Sequence, residues 1–236
     1  MVRYTFIPVG EAGAFSNQLV YNQGMSTAVL EFEKKLRADF DWGLRESSMH
    51  FEGKGGVQES MRRIVKRLDD LNIPYAIVGG MALYYHGYQR FTNVVDLLVT
   101  RENLQRIHDE LEGLGYVPPF AGSKHLRDTT TGVKVEFLTT GDYPGDGKPK
   151  AIAFPDPVDV RMENKGIWFL SLPALIDLKL ASGISNPMRG KDLADIQELI
   201  SIRNLDESLV PQLHPYVRAK YVEIVELIRN NPVVPE

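Results

Sequence analysis

Residues 75–99 read YAIVGGMALYYHGYQRFTNVVDLLV and contain the clearest pattern in the chain. A short apolar run, Tyr75–Val78, is followed by Gly79-Gly80, a helical segment, and a second apolar run that contains Asp96. Apolar runs of this length bounded by turn residues are typical of buried strands. A glycine pair between a strand and a helix lets backbone amides approach a phosphate, because no Cβ intervenes. The stretch therefore predicts a strand, a tight turn, a helix and a second strand that carries a carboxylate.

Alternation along two predicted strands places two acids toward a common cleft. In the second strand Val94, Asp96 and Leu98 share one face, because successive side chains of a strand point to opposite sides. In the later segment 133–138, Glu136 lies on the face that is not occupied by the apolar residues Val133, Val135 and Phe137. We therefore expect Asp96 and Glu136 to point into the same cleft.

These residues resemble the signature of the DNA polymerase beta-like nucleotidyltransferases, in particular the minimal and AbiEii-type toxin group. The resemblance covers about residues 57–203 and includes the glycine pair, the His-Gly-x-x-Arg-x-Thr before the acidic strand, and Arg-x-Lys-Asp-x-x-Asp at 189–195. It departs from the family at one position. The family carries Asp-x-Asp on the second strand, and Val94 stands here in place of the first aspartate.

The resemblance implies a role for seven residues. Asp96 and Glu136 would be the catalytic acids and the ligands of Mg²⁺, of which the family uses two ions. The residues expected to hold the nucleotide are Gly79, Gly80, Arg90, Thr92 and Lys179. A valine cannot ligate a hard cation, which requires oxygen donors, so Val94 is expected to weaken the metal site.

The implied reaction is transfer of a nucleoside monophosphate from an NTP to an acceptor hydroxyl, with activity impaired by Val94. The acceptor stays open among RNA, a protein hydroxyl and a small molecule. A second hypothesis is a catalytically inactive nucleotide-binding or toxin–antitoxin-like interaction module with an antitoxin-like protein partner. A third is an unrelated α+β domain in which the Gly-Gly turn is a coincidence, since fold does not settle function.

Periodicity along the chain predicts an α+β fold, a small mixed β-sheet flanked by helices, with a helical C-terminal part. Residues 1–24 are aperiodic and are interpreted as a loosely ordered arm, 25–165 as the nucleotidyltransferase-like core, and 166–236 as the helical region. A first helix is predicted after Ser26 with Phe40 on its buried face, and another helix is predicted to run to about Leu114.

The loop at residues 140–157 is long and rich in Gly, Pro and Asp. Long loops inside compact domains are often functional, so this one is a candidate part of a site. Its residues Asp142 and Asp146 could bind a cation, although loop aspartates more often form turns.

Composition limits the class of protein. Hydrophobic residues are 43% and charged residues 25% of 236, which is typical of a globular protein. Cysteine is absent, so disulfides and cysteine-ligated metals are excluded. No apolar run approaches the length of a membrane span, and we expect a cytoplasmic protein without membrane contact. The net charge of −4 means that any RNA contact would require a local basic patch.

Overall fold

The computed structural model describes residues 31–231, so the expected arm at 1–24 and the start of the first predicted helix lie outside the described residues. The helices span Glu31–Ala38 (α1), Phe40–Phe51 (α2), Gly56–Asp70 (α3), Gly79–Tyr85 (α4), Arg101–Leu111 (α5), Pro157–Val160 (α6), Leu172–Ser185 (α7), Gly190–Arg203 (α8) and Pro215–Asn230 (α9). The strands span Ala76–Ile77 (β1), Val94–Val99 (β2), Tyr116–Val117 (β3), Leu126–Asp128 (β4), Lys134–Thr139 (β5), Arg161–Asn164 (β6) and Ile167–Leu170 (β7). Short 3-10 helices cover Pro187–Arg189 and Glu207–Gln212.

The strands form one mixed sheet in the order β3-β4-β5-β2-β1-β7-β6. The central pair β2 and β5 is parallel, as are β1 and β7, and the remaining neighbours are antiparallel. Helices pack on both faces, which confirms the predicted α+β fold with a mixed sheet flanked by helices. None of the helices between residues 31 and 231 is both long and apolar enough to cross a bilayer.

Each face of the sheet has its own apolar core. On one face, α3 buries its stripe, including Ile64 and Leu68, against alternate residues of β2 and β5 such as Val95 and Val135. The other face carries a second apolar cluster that includes Leu98 and is covered by the C-terminal helices. Because strand side chains alternate, the face with Leu98 also carries Asp96.

Two predictions about helix ends are wrong. The first helical region is broken at Asp39, whose carboxylate caps α2 by accepting a hydrogen bond of 2.9 Å from the Trp42 N–H. The break rotates Phe40 off the buried face, and that residue is 79% exposed. Helix α5 ends at Leu111, and Leu114 is 65% exposed in the turn that follows.

The hairpin β6–β7 was missed by the sequence interpretation. Its turn residues Lys165 and Gly166 have φ values of 52° and 79°, the left-handed pair that a tight two-residue hairpin requires. The segment Asn164-Lys-Gly-Ile167 carried that signal. The predicted boundary at residue 165 falls in this turn, and β7 is part of the sheet beside β1.

The loop at 140–157 is pressed against α7 at Gly145. This residue has a φ of 80°, and a Cβ added to it would lie 2.6 Å from the Ser182 carbonyl oxygen and 2.3 Å from Ser185 Oγ. Gly147 has a similar φ of 70°, but a Cβ there would meet nothing within 4 Å. Gly145 and Gly147 therefore have the same left-handed backbone conformation, but only Gly145 is in close contact with α7.

We predict that Gly145→Ala lowers the free energy of unfolding by roughly 2–4 kcal/mol, because left-handed strain adds to a collision with backbone of α7. Gly147→Ala is the matched control and should cost about 1 kcal/mol, from backbone strain alone. Urea denaturation of the two variants measures the difference. Equal losses would show that the loop does not press on the helix.

Candidate active site

Parallel pairing of β2 with β5 places the two predicted acids side by side. The register aligns Val94 with Lys134 and Asp96 with Glu136. In parallel strands aligned residues point to the same face, so both carboxylates face the layer of C-terminal helices. Both line one cavity of about 350 Å³.

The glycine pair closes over Asp96 from the neighbouring strand. Gly79 has a φ of 61°, and a Cβ added to it would lie 2.0 Å from Asp96 Oδ2. Only glycine allows the backbone to pass this close to the carboxylate at that dihedral angle. The Gly80 N–H donates a hydrogen bond to Asp96. Thr92 packs on Gly80, where an added Cβ would lie 2.8 Å from the threonine Cβ.

The Asp96 carboxyl is the most strongly perturbed group of the cavity. Burial, followed by the negative charge of Glu136, raises the pKa of Asp96 from its ordinary 3.8 to about 6. Lys179, Arg90 and the Gly80 N–H pull that pKa in the opposite direction. A carboxylate with this pKa is ionised at neutral pH and is basic enough to accept a proton from a hydroxyl.

A lysine lies opposite Val94, the position at which the signature that the sequence resembles has its first aspartate. Lys134 aligns with Val94 across β2 and β5, and its Nζ pairs with Glu136 at 2.5 Å. Val94 therefore makes the cavity wall next to Asp96 apolar. Glu136 is already paired with the ammonium group of Lys134.

Lys179 is at the centre of a buried ion network that joins α7 to α8. Its Nζ lies 2.8 Å from Asp192 Oδ1 and 2.7 Å from Asp195 Oδ2. Ser182 and Arg189 also bond to Asp192, at 2.7 and 2.9 Å. Although burial opposes it, Lys179 and these donors lower the pKa of Asp192.

Arg90 ties the loop before β2 to the same network. Its Nε lies 2.8 Å from Asp195 Oδ1, and one Nη donates to Oδ2 at 3.0 Å. Behind it, His50 Nε2 lies 3.2 Å from the Arg90 carbonyl oxygen, and Gln58 bonds to the other ring nitrogen at 2.9 Å. Burial lowers the pKa of His50, consistent with a neutral ring that positions Arg90.

All seven sequence-predicted site residues line this one cavity. It is also lined by residues to which the sequence interpretation gave no nucleotide role, among them Met188, Arg189 and Lys191. Met188 and Arg189 lie in the 3-10 helix after α7, and Lys191 lies in the first turn of α8. The motif at 189–195 includes Arg189 and Lys191, but only the packing of α8 places these residues at the cavity. His50 was also missed, because nothing in its flanking sequence connects it with a residue 40 positions away.

Asp142 and Asp146, the loop residues that could bind a cation, are each paired with basic side chains. Asp142 pairs with Lys124 at 2.8 Å and with Arg101 at 3.0 Å, and Asp146 pairs with Lys150. The hydrogen bond from Lys124 is the largest of the effects that lower the pKa of Asp142. These aspartates anchor the loop.

The donor set fits one divalent cation and does not fit two. Asp96 and Glu136 offer carboxylate oxygens from adjacent strands, whereas Val94 offers none. Across residues 31–231, no group of three or more His, Asp or Glu side chains is arranged to hold a metal ion.

No protein-family model and no curated protein sequence matches this chain. Solved structures that resemble it include the antibiotic-resistance factor ANT(2'')-Ia, with a TM-score of 0.48, 16% identity, and coverage of 72% of this chain and 96% of that chain. The same protein in complex with adenylyl-2''-tobramycin has a TM-score of 0.44, 14% identity, and coverage of 74% and 98%. An antigenic nucleotidyltransferase-like protein from Paracoccidioides brasiliensis has a TM-score of 0.41, 17% identity, and coverage of 72% and 85%. Since these TM-scores lie below 0.5, the functional inference rests on the site residues.

We predict that Asp96→Asn stabilises the protein at neutral pH. The pKa of Asp96 is higher in the folded protein, about 6, than its ordinary 3.8, so the folded state binds more protons between these values. The free energy of unfolding therefore falls as pH rises from about 4 to about 6, and the amide removes this loss. The gain should be about 2 kcal/mol near pH 7.5 and close to zero near pH 3.5.

Denaturation curves at both pH values test this prediction. Asp159→Asn, an exposed position on α6, is the matched control and should change stability little at either pH. A wild-type protein more stable than Asp96→Asn near pH 7.5 would contradict the raised pKa.

We predict that Lys179→Met lowers the free energy of unfolding by about 3–5 kcal/mol, because it leaves the buried carboxylates of Asp192 and Asp195 without their shared cation. Lys191→Met, at an exposed position of α8, should cost well under about 1 kcal/mol. Similar losses for the two variants in urea denaturation would show that the network contributes nothing specific.

Proposed function

We propose that this chain is a nucleotidyltransferase-fold protein that binds an NTP in the cavity over Asp96 and Glu136. It transfers the nucleoside monophosphate to an acceptor hydroxyl. The observation that carries the proposal is the in-register pair of acids facing a cavity whose other walls are a glycine turn and cationic side chains.

Charge complementarity supports a polyphosphate ligand. The cavity is lined by the cations Arg90, Lys179, Arg189 and Lys191. Arg189 is 55% exposed and Lys191 is exposed, so both can reorient toward a ligand. Arginine and lysine are the side chains that bind phosphate oxygens most strongly. The glycine turn lets Asp96 and Thr92 pack directly against the backbone at the floor of this cavity, because neither Gly79 nor Gly80 has a Cβ.

The reaction requires an acceptor oxygen to attack the α-phosphorus while the bond to pyrophosphate breaks. In the metal-free cavity Asp96, with a pKa near 6, is the group that accepts the proton of the acceptor hydroxyl. The cations at the rim stabilise the charge that develops on the leaving pyrophosphate. Catalysis of this kind consists largely of positioning and electrostatic stabilisation.

The proposed site would hold one Mg²⁺ ion instead of the two that the resemblance implies. Asp96 and Glu136 would hold one Mg²⁺, which when bound would neutralise charge on the α-phosphate. Binding at Glu136 would compete with Lys134, and Val94 offers no bridging oxygen, so the affinity for Mg²⁺ is expected to be low.

Val94 also favours a second candidate function, a catalytically inactive nucleotide-binding module that acts through an interaction partner. Such a module would bind an NTP without labelling any acceptor. The AbiEii-type toxin assignment, the antitoxin-like partner and the cytoplasmic location stay predictions from the sequence. The acceptor class, RNA, protein or small molecule, also stays open.

We predict that Val94→Asp raises Mg²⁺-dependent NTP binding at least about tenfold, because it supplies the missing carboxylate beside Asp96. Titration of a labelled NTP with and without Mg²⁺ measures binding, and incubation with cellular RNA and protein measures labelling of an acceptor. Val158→Asp, at a residue that is 51% exposed outside the cavity, is the matched control.

The three possible outcomes separate the two functions. Acceptor labelling by the wild type, lost in Asp96→Ala, supports the enzyme. NTP binding without labelling in either the wild type or Val94→Asp supports the binding module. If Val94→Asp binds neither metal nor NTP better than the wild type, the proposed site is wrong.

A further inference from the structure

A second cavity of about 300 Å³ lies between α7 and the 140–157 loop. Its walls are apolar side chains from the sheet, from α7 and from the loop: Leu138, Leu170, Leu175, Leu178, Tyr143 and Phe154. This volume is at the lower end of the range for small-molecule sites, which are mostly apolar with a few polar groups. Tyr143 and Phe154 are only partly buried, so their rings are open to a ligand.

This apolar cavity adjoins the cavity over the two acids. Gly79, Lys179, Arg189 and Asp192 line both. The Lys179–Asp192 ion pair therefore forms the boundary between an apolar compartment and a charged one. A ligand with a polyphosphate at one end and an apolar, planar group at the other matches this division.

The loop side of the apolar cavity is preformed. Gly141 N–H donates to the Phe154 carbonyl at 2.9 Å, and Phe154 N–H donates to the Asp142 carbonyl at 2.8 Å. Lys150 Nζ donates to the Pro144 carbonyl at 2.7 Å and lies 5.7 Å from the centroid of the Tyr143 ring. With Gly145 pressed against α7, these bonds fix the loop backbone that carries both rings.

The chemistry of the walls favours a nucleobase over an acceptor group. A sugar or a charged peptide would leave its hydroxyl or ionic groups without partners against leucine side chains. A nucleobase has an apolar face that stacks on aromatic rings, and its polar atoms are confined to its edge. Arg189 at the boundary is 55% exposed and can supply N–H donors to such an edge.

We infer that the apolar cavity between α7 and the 140–157 loop binds the nucleobase of an NTP whose phosphates lie over Gly79 and Lys179. This inference rests on the proposed function and adds to it the part of the molecule that recognises the base. The loop, rather than the acidic strands, then determines which NTP is preferred.

The test compares NTPs with inorganic tripolyphosphate, which has the phosphates and no base. Isothermal titration of the wild-type protein with each of the four NTPs and with tripolyphosphate should show at least one NTP bound about tenfold more tightly than tripolyphosphate. Tyr143→Ala should weaken that NTP about tenfold and leave tripolyphosphate unchanged. Lys191→Met, which removes an exposed cation of the cavity over the acids at little cost in stability, should weaken both ligands.

Matched variants keep the test independent of stability. Phe120→Ala removes an aromatic ring that is 64% exposed and outside both cavities, and should change neither affinity. If Tyr143→Ala does not fold, Phe154→Leu removes the other ring while keeping an apolar side chain. It should show the same selective loss.

The outcomes distinguish failure of this inference from failure of the proposed function. Equal affinities for NTPs and tripolyphosphate, unchanged by Tyr143→Ala, would overturn the base site and leave the phosphate site intact. Loss of acceptor labelling in Tyr143→Ala with unchanged NTP affinity would assign the cavity to the acceptor and also overturn it. A wild type that binds neither ligand would overturn both.

Discussion

The parallel register between β2 and β5 is the constraint on which the rest of the site depends. It holds Asp96 beside Glu136, two like charges on one face of a sheet, in a partly buried cavity. Their repulsion and the loss of water raise the pKa of Asp96 to about 6, and the surrounding cations limit that rise. A one-residue slip of register would move one acid to the opposite face and into the core beneath α3.

The layer of C-terminal helices holds the positive charges that offset the repulsion between Asp96 and Glu136. Lys179 and Arg90 are held near the acids by Asp192 and Asp195, and each of these aspartates accepts bonds from two cationic side chains. Buried charges persist in proteins when they are paired and hydrogen-bonded. The helices α7 and α8 thus complete the site as well as covering one face of the sheet.

Local sequence pattern predicted the elements around the site well. The strand containing Asp96, the strand containing Glu136 and the helices of the C-terminal part form where the sequence pattern placed them. Alternation is a property of the strand itself, so the faces of Asp96 and Glu136 could be read without knowing the fold. The errors at Phe40 and Leu114 arose because a cap at Asp39 and a turn at Gly113 override periodicity. The strands β6 and β7 were missed because four-residue strands give little periodic signal.

The order of residues along the chain was sufficient to identify the two acids, the glycine turn, and the valine at the position where the signature that the sequence resembles has an aspartate. Packing between distant segments decided the rest. It set Lys134 opposite Val94, enclosed Lys179 between two aspartates, brought His50 behind Arg90, and pressed Gly145 onto α7 to form a second cavity. The physical reason is that dihedral preference and side-chain alternation act over a few residues. Electrostatic pairing and close contact act between groups that only the folded chain brings together.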